Sequence, residues 1–136
     1  MSRPEPDREE LRARLARELE ARPEIVLAVL HGSFERGEAF RDIDVAVWLD
    51  PTGCSKSERF RYALDLSVQL RFVLGHPADV HVLNDAPLGL RYHALGGSPQ
   101  VVRDPALLDE LRARTWDEYF DFQPFARRYL REALIE

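Results

Sequence analysis

The stretch LHGSFERGEAFRDIDVAVWLD, residues 30–50, constrains this chain more than any other, because it sets a Gly-Ser pair, a short polar loop and two aspartates between apolar runs. Residues 25–30, IVLAVL, are apolar and rich in β-branched side chains, and residues 41–49 alternate Asp42 and Asp44 with Ile43, Val45 and Val47. Both patterns predict strands. Successive side chains on a strand point to opposite faces, so Asp42 and Asp44 are expected side by side, with Ile43 turned to the other face. Two carboxylates that close repel, and without a compensating charge one must take up a proton or move away. A bound divalent cation removes the conflict, and hard oxygen ligands favour Mg²⁺ or Mn²⁺ over softer metals.

Gly32 and Ser33 stand where the first strand ends. Glycine lets the backbone approach a ligand closely, and Ser33 offers a hydroxyl and a main-chain N–H to phosphate oxygens. Arg36 can add a bidentate guanidinium contact, so a triphosphate held there would lie beside the aspartates. Taken singly, a Gly-Ser pair is an ordinary turn and an Asp-x-Asp an ordinary solvated strand edge; their order and closeness point to a site. A third strand is expected at residues 79–83, where Asp79 follows Pro77 among apolar neighbours apart from His81. Asp79 either opens that strand with no further task or joins Asp42 and Asp44. Of three converging carboxylates, two could hold metal ions about 3.5–4 Å apart while the third activates the attacking group.

Gly32-Ser33, Asp42-x-Asp44 and the later isolated Asp79 resemble the three-part signature of the polymerase-β-like nucleotidyltransferase superfamily, in its minimal form (MNT). Residues 79–105 and the tail Tyr119-Phe120-Asp121-Phe122-Gln123-Pro124 are similar to the antitoxins of HEPN/MNT toxin-antitoxin pairs, and the resemblance runs through most of the chain from Ile25 onward. It implies that Asp42 and Asp44 ligate Mg²⁺, and that Gly32, Ser33 and Arg36 hold the phosphates of ATP. Asp79 would ligate a second metal ion or accept the proton of the acceptor hydroxyl. It further implies transfer of AMP, with loss of pyrophosphate, to a tyrosine hydroxyl of a partner HEPN toxin, a ribonuclease silenced by AMPylation. Two departures stand out: the loop at residues 34–41 is shorter than in the commonest family version, and Arg41 replaces the Ser that many members carry before the first Asp. They keep a second reading in view, a catalytically weak antitoxin that neutralises its toxin by binding. A third, nucleotidyl transfer to a small molecule such as an aminoglycoside, ranks lower because so short a chain lacks an evident substrate-binding domain.

At 136 residues the chain suits one domain with a single core. Its net charge of −5 argues against a dedicated nucleic-acid binder, whose phosphate contacts need a basic surface. Cys54 is the only cysteine, which excludes an internal disulfide. The N-terminus is charged, without an apolar targeting core, and no apolar run approaches the roughly 18 residues of a membrane span, so a cytoplasmic protein is expected.

The coarse order of elements is helix, strand, strand, helix, strand, short helix, edge strand and a long helical tail. The expected architecture is α/β (α+β): a small mixed β-sheet with packed helices, one domain over residues 1–136, an N-terminal helix within 1–22 and a C-terminal helical segment at 104–136. In the first helix Leu11, Leu15 and Leu19 recur at helical spacing, and Pro23 stops it. In the helix at 57–74, Phe60, Leu64, Val68 and Phe72 form the apolar stripe, which is expected to face the core, with Gly75 as C-cap. Asp104-Pro105 is a helix start, and Pro124 is expected to kink or interrupt the tail helix after residue 122. Trp116, Tyr119, Phe120, Phe122, Phe125 and Tyr129 exceed what one helix of a small domain usually buries, so they either pack on the sheet or form a partner surface within a homo- or hetero-oligomer. His31, His76, His81 and His93 lack metal-ligand spacing; His31, beside Gly32, reads first as a turn residue with no further task and second as a residue that touches nucleotide.

Overall fold

Local chemistry sets the element boundaries in the computed structural model, which describes residues 7–52 and 54–135. Helix α1 (Arg8–Glu20) starts at Asp7, whose carboxylate accepts the amide of Glu10, and buries Leu11, Leu15 and Leu19. After Pro23 come strand β1 (Ile25–His31), a single helical turn α2 (Gly32–Glu35) and strand β2 (Ile43–Leu49). Helix α3 (Lys56–Leu74) is capped by the Ser55 hydroxyl at one end and by Gly75, at φ 73°, at the other. Strand β3 (Ala78–Val82), helix α4 (Leu88–Leu95), strand β4 (Ser98–Val102) and helix α5 (Pro105–Ile135) complete the order.

The four strands form one mixed sheet in the order β3-β2-β1-β4, with β1 antiparallel to β2 and β4, and β2 parallel to β3. Alternation along β2 divides the molecule into layers. Ile43, Val45, Val47 and Leu49 face a core built with Leu11, Leu15 and Leu19 of α1 and Leu66, Leu70 and Leu74 of α3. Ala46 faces a smaller cluster in which Leu27 and Leu83 meet Ala94 and Leu95 of α4 and Leu108 and Leu111 of α5. That second face is covered toward Leu27, Ala46 and Leu83 only, so the opposite end of the same face, at His31 and Asp44, is left for polar groups.

Helix α3 is turned the other way from the expectation. Phe60, Leu64, Val68 and Phe72 are exposed by 69%, 54%, 55% and 85%, while Leu66, Leu70 and Leu74 are buried. The two stripes have the same four-residue spacing and differ by two positions, about 200° around the helix, so periodicity alone cannot choose between them. Leu70→Ala is therefore expected to cost about 2–5 kcal/mol of stability. Phe72→Ser is expected to change it by no more than about 0.5 kcal/mol. Urea unfolding of the two variants checks the assignment, and a large loss for Phe72→Ser with little for Leu70→Ala would reverse it.

Three further boundaries differ. The Gly-Ser turn closes into α2, with the Arg36 amide donating to the Gly32 carbonyl at 3.2 Å. Strand β2 begins at Ile43, leaving Asp42 in the bend before it. Helix α5 runs through Pro124 without interruption. Proline there removes one amide from the ladder, and the stretch around Phe120 and Phe122 is exposed, so water can meet the carbonyl that loses its donor. No helix among the described residues is long and apolar enough to cross a membrane.

Candidate active site

Sheet register brings the polar groups together. His31 at the end of β1 is the partner of Asp44 on β2, and Asp44 is the partner of Asp79 on β3. Partnered residues on adjacent strands project to the same face, and His81, two residues beyond Asp79, shares that face. Ligand atoms of Asp44, Asp79 and His81 all lie within 4.8 Å of one another, and His81 Nε2 is 3.0 Å from Asp79 Oδ2. Burial and then the charge of Asp79 push the Asp44 carboxyl above the ordinary carboxylate range, with His81 opposing the shift. Two crowded carboxylates and an imidazole with no lysine or arginine between them form a donor set that suits a divalent cation.

Asp42 lies one residue before the strand in which the alternation places it. It is half-buried in the bend before β2, is not one of the three mutually close ligands, and acts on Asp44 more weakly than Asp79 or His81 does. The period-2 argument needed Asp42 to lie within the strand, and the chain has already turned there. His81 was passed over because the histidines have no metal-ligand spacing among themselves. The available signal was its alternation with Asp79 on one strand face.

Gly32 locks the site to the chain reversal. Its φ is +81°, and a Cβ placed on it would lie 2.3 Å from Asp44 Oδ2, so the bare α-carbon packs directly against the Asp44 carboxylate. From the other side α1 holds this segment: Arg8 donates to the carbonyls of Phe34 and Glu38, and Arg12 to that of Glu35. Arg12 thereby satisfies the Glu35 carbonyl at the end of so short a helix, whereas the Phe34 carbonyl also accepts from the Gly37 amide. Phe34 is buried in the core, and Arg8 lies 5.3 Å from its ring centre. Ser33 follows Gly32 in α2 and is half-buried. Arg36 is exposed and paired with Glu38, whose hydrogen bond holds its guanidinium pKa above the ordinary value.

His31 is a buried strand residue rather than a turn residue. Burial, followed by the charge of His81, lowers its pKa to about 4, so its ring is neutral at pH 7. Its Nε2 is buried with no hydrogen-bond partner among the described residues. His31 and Gly32 also line a cleft of about 460 Å³ that runs from Arg36 to the aromatic rings of α4 and α5. On the far side of the acidic cluster, Asp79 and His81 open onto a second groove of about 440 Å³ beside Phe60 and Leu64 of α3.

A four-stranded mixed sheet that carries acidic residues on neighbouring strands, next to a Gly-Ser reversal, defines a nucleotidyltransferase domain. Residues 13–104, well over half the chain, match the family described as Polymerase beta, Nucleotidyltransferase, and the protein belongs to that family. No curated protein matches the chain. Among solved structures it is similar to a chain of the tri-AMPylated HEPN toxin of Shewanella oneidensis in complex with MNT antitoxin, at 18% identity and a TM-score of 0.71, covering 94% of this chain and 99% of that one. A toxin-antitoxin structure with AMP-PNP matches at 20% identity and a TM-score of 0.69, covering 90% of this chain and 98% of that one. The toxin-antitoxin MntA-HepT matches at 16% identity and a TM-score of 0.70, covering 93% and 98%. These likenesses show the fold over nine-tenths or more of the chain.

Proposed function

We propose that this protein is an MNT antitoxin that transfers AMP from ATP to a tyrosine hydroxyl of a HEPN ribonuclease toxin. The observation that carries the reading is the row of Asp44 and Asp79 on paired strands, with Gly32 packed against the Asp44 carboxylate. The similar structures support it, since they join this fold to an AMPylated toxin and to AMP-PNP. Asp44 and Asp79, with His81 beside them and Asp42 at the strand entrance, would hold Mg²⁺ or Mn²⁺. Such an ion, when bound, neutralises charge developing on the phosphates. Gly32 and Ser33 would bring main-chain and hydroxyl donors to the triphosphate, and Arg36 would exchange Glu38 for a phosphate oxygen.

The acceptor oxygen attacks the α-phosphorus of ATP. A bond forms between them, the bond from the α-phosphorus to the bridging oxygen of the β-phosphate breaks, and pyrophosphate leaves. Asp79 would take the hydroxyl proton of an acceptor that enters by the groove beside α3, which it lines. His81, 3.0 Å from Asp79, holds that carboxylate in position.

Incubation of the chain with α-labelled ATP, Mg²⁺ and a HEPN toxin encoded beside it is expected to label the toxin covalently, and to do so only with divalent metal. The exposed Phe120, Phe122, Phe125 and Tyr129 of α5 favour a second reading, in which the antitoxin works by covering its toxin. Stable binding and neutralisation without label would support that reading and overturn AMP transfer.

A further inference from the structure

We infer that the cleft between α2, α4 and α5 is a nucleobase subsite, in which Trp116 and Phe120 stack on the base of the nucleoside triphosphate whose phosphates lie at Gly32 and Arg36. This rests on the nucleotidyl-transfer reading and adds the half of the substrate that the acidic residues do not touch. The cleft joins the phosphate side to the aromatic side without a break: Gly32 and Arg36 line one end, Tyr92, Trp116 and Phe120 the other. Its volume of about 460 Å³ falls within the usual range for pockets that enclose a small organic ligand.

Its chemistry is that of a flat heteroaromatic rather than an aliphatic ligand. Trp116 is 38% exposed and Phe120 57%, although α4 packs against this stretch of α5 through the Tyr92–Tyr119 stack. Tyr92 is stacked on Tyr119 at 3.6 Å with 4° between the rings, and Phe120 meets Tyr92 edge-on at 6.3 Å, so the aromatic wall is braced from behind. Between the rings and the phosphate end lie polar groups suited to a base edge or a ribose: the Glu35 carboxylate, the His93 ring and the bare backbone of Gly96 and Gly97. His31, whose buried Nε2 has no partner among the described residues, lines the same cleft. A purely apolar ligand would offer nothing to the second Glu35 oxygen, the first being held by the Ser98 hydroxyl, and a bare phosphate chain would leave the rings in water.

Isothermal titration with two probes, ATP and inorganic tripolyphosphate, each with Mg²⁺, separates the base from the phosphates. In Trp116→Ala and Phe120→Ala the affinity for ATP is expected to fall about tenfold to a hundredfold, as for loss of one stacking ring. Tripolyphosphate affinity is expected to stay at the wild-type value, and Trp116→Phe to recover most of the ATP affinity. Unchanged ATP affinity in both alanine variants would overturn the inference, as would equal loss of both probes, which would mean that the rings only support the fold. Should an alanine variant fail to fold, Trp116→Leu and Phe120→Leu keep the bulk of the side chain, remove the aromatic face and are read the same way. A wild-type protein that binds tripolyphosphate as tightly as ATP would sink the base subsite alone, whereas one that binds neither would sink nucleotidyl transfer itself.

Discussion

Asp44→Asn is expected to lower AMP transfer about a thousandfold or more while leaving the melting temperature of the metal-free protein unchanged or raised. The loss follows from removing one charged oxygen at the point where Asp79 and His81 converge. A metal ion contributes several kcal/mol to charge stabilisation, and each 1.36 kcal/mol is a factor of ten in rate. The stability result follows from the sign of the pKa shift. Burial and Asp79 raise the Asp44 carboxyl, so the folded chain binds that proton more tightly than the unfolded chain. Its contribution favours folding below the ordinary value of 3.8 and is lost as pH rises through the raised folded value, which leaves an unfavourable charge in the fold at neutral pH. Asparagine keeps the shape and removes the charge. Thermal melts at pH 7 should therefore show the wild type stabilised by added Mn²⁺ or Mg²⁺ and the variant indifferent to either. A variant that melts many degrees lower without metal would assign Asp44 a structural role instead.

How much of this was legible in the chain depends on how local each signal is. Strands β1 and β2 and the left-handed Gly75 are decided within a few residues, and the structure places them within a residue or two of expectation. The meeting of Asp79 with Asp44 depended on which strands pair, yet a parallel β2–β3 pair linked by one helix is the ordinary outcome of a strand-helix-strand segment. Which face of α3 is buried was not legible, because Tyr62, Leu66, Leu70 and Leu74 carry the same spacing as Phe60, Leu64, Val68 and Phe72. The position of Asp42 turned on one residue at a strand end, where local pattern is weakest. The cleft could not be read either: it gathers Gly32 from α2, Tyr92 from α4 and Trp116 from α5, and no sequence spacing connects them. The unbroken helix through Pro124 is a matter of solvent, since the carbonyl that proline deprives of a donor lies on an exposed stretch.

Gly32→Ala is expected to lose as much transfer as Asp44→Asn, and Gly37→Ala is the control that explains why. Both glycines have positive φ, +81° and +78°, so alanine at either costs about 1–2 kcal/mol of backbone strain. At Gly37 a new Cβ meets nothing within 4 Å. At Gly32 it would lie 2.3 Å from Asp44 Oδ2, 3.1 Å from Cγ and 3.3 Å from Cβ. The whole carboxylate is in the way, and relief requires it to swing away from Asp79 and His81, which dismantles the ligand set that the strand register assembled. The two variants should therefore melt a few degrees below wild type, by similar amounts, and differ in chemistry: Gly37→Ala retains transfer and stabilisation by Mn²⁺, and Gly32→Ala loses both. Equal transfer by the two variants would mean that the close approach of Gly32 to Asp44 is packing alone. If both were inactive, the requirement would lie in the shape of the loop that follows α2 and not in the contact with the carboxylate.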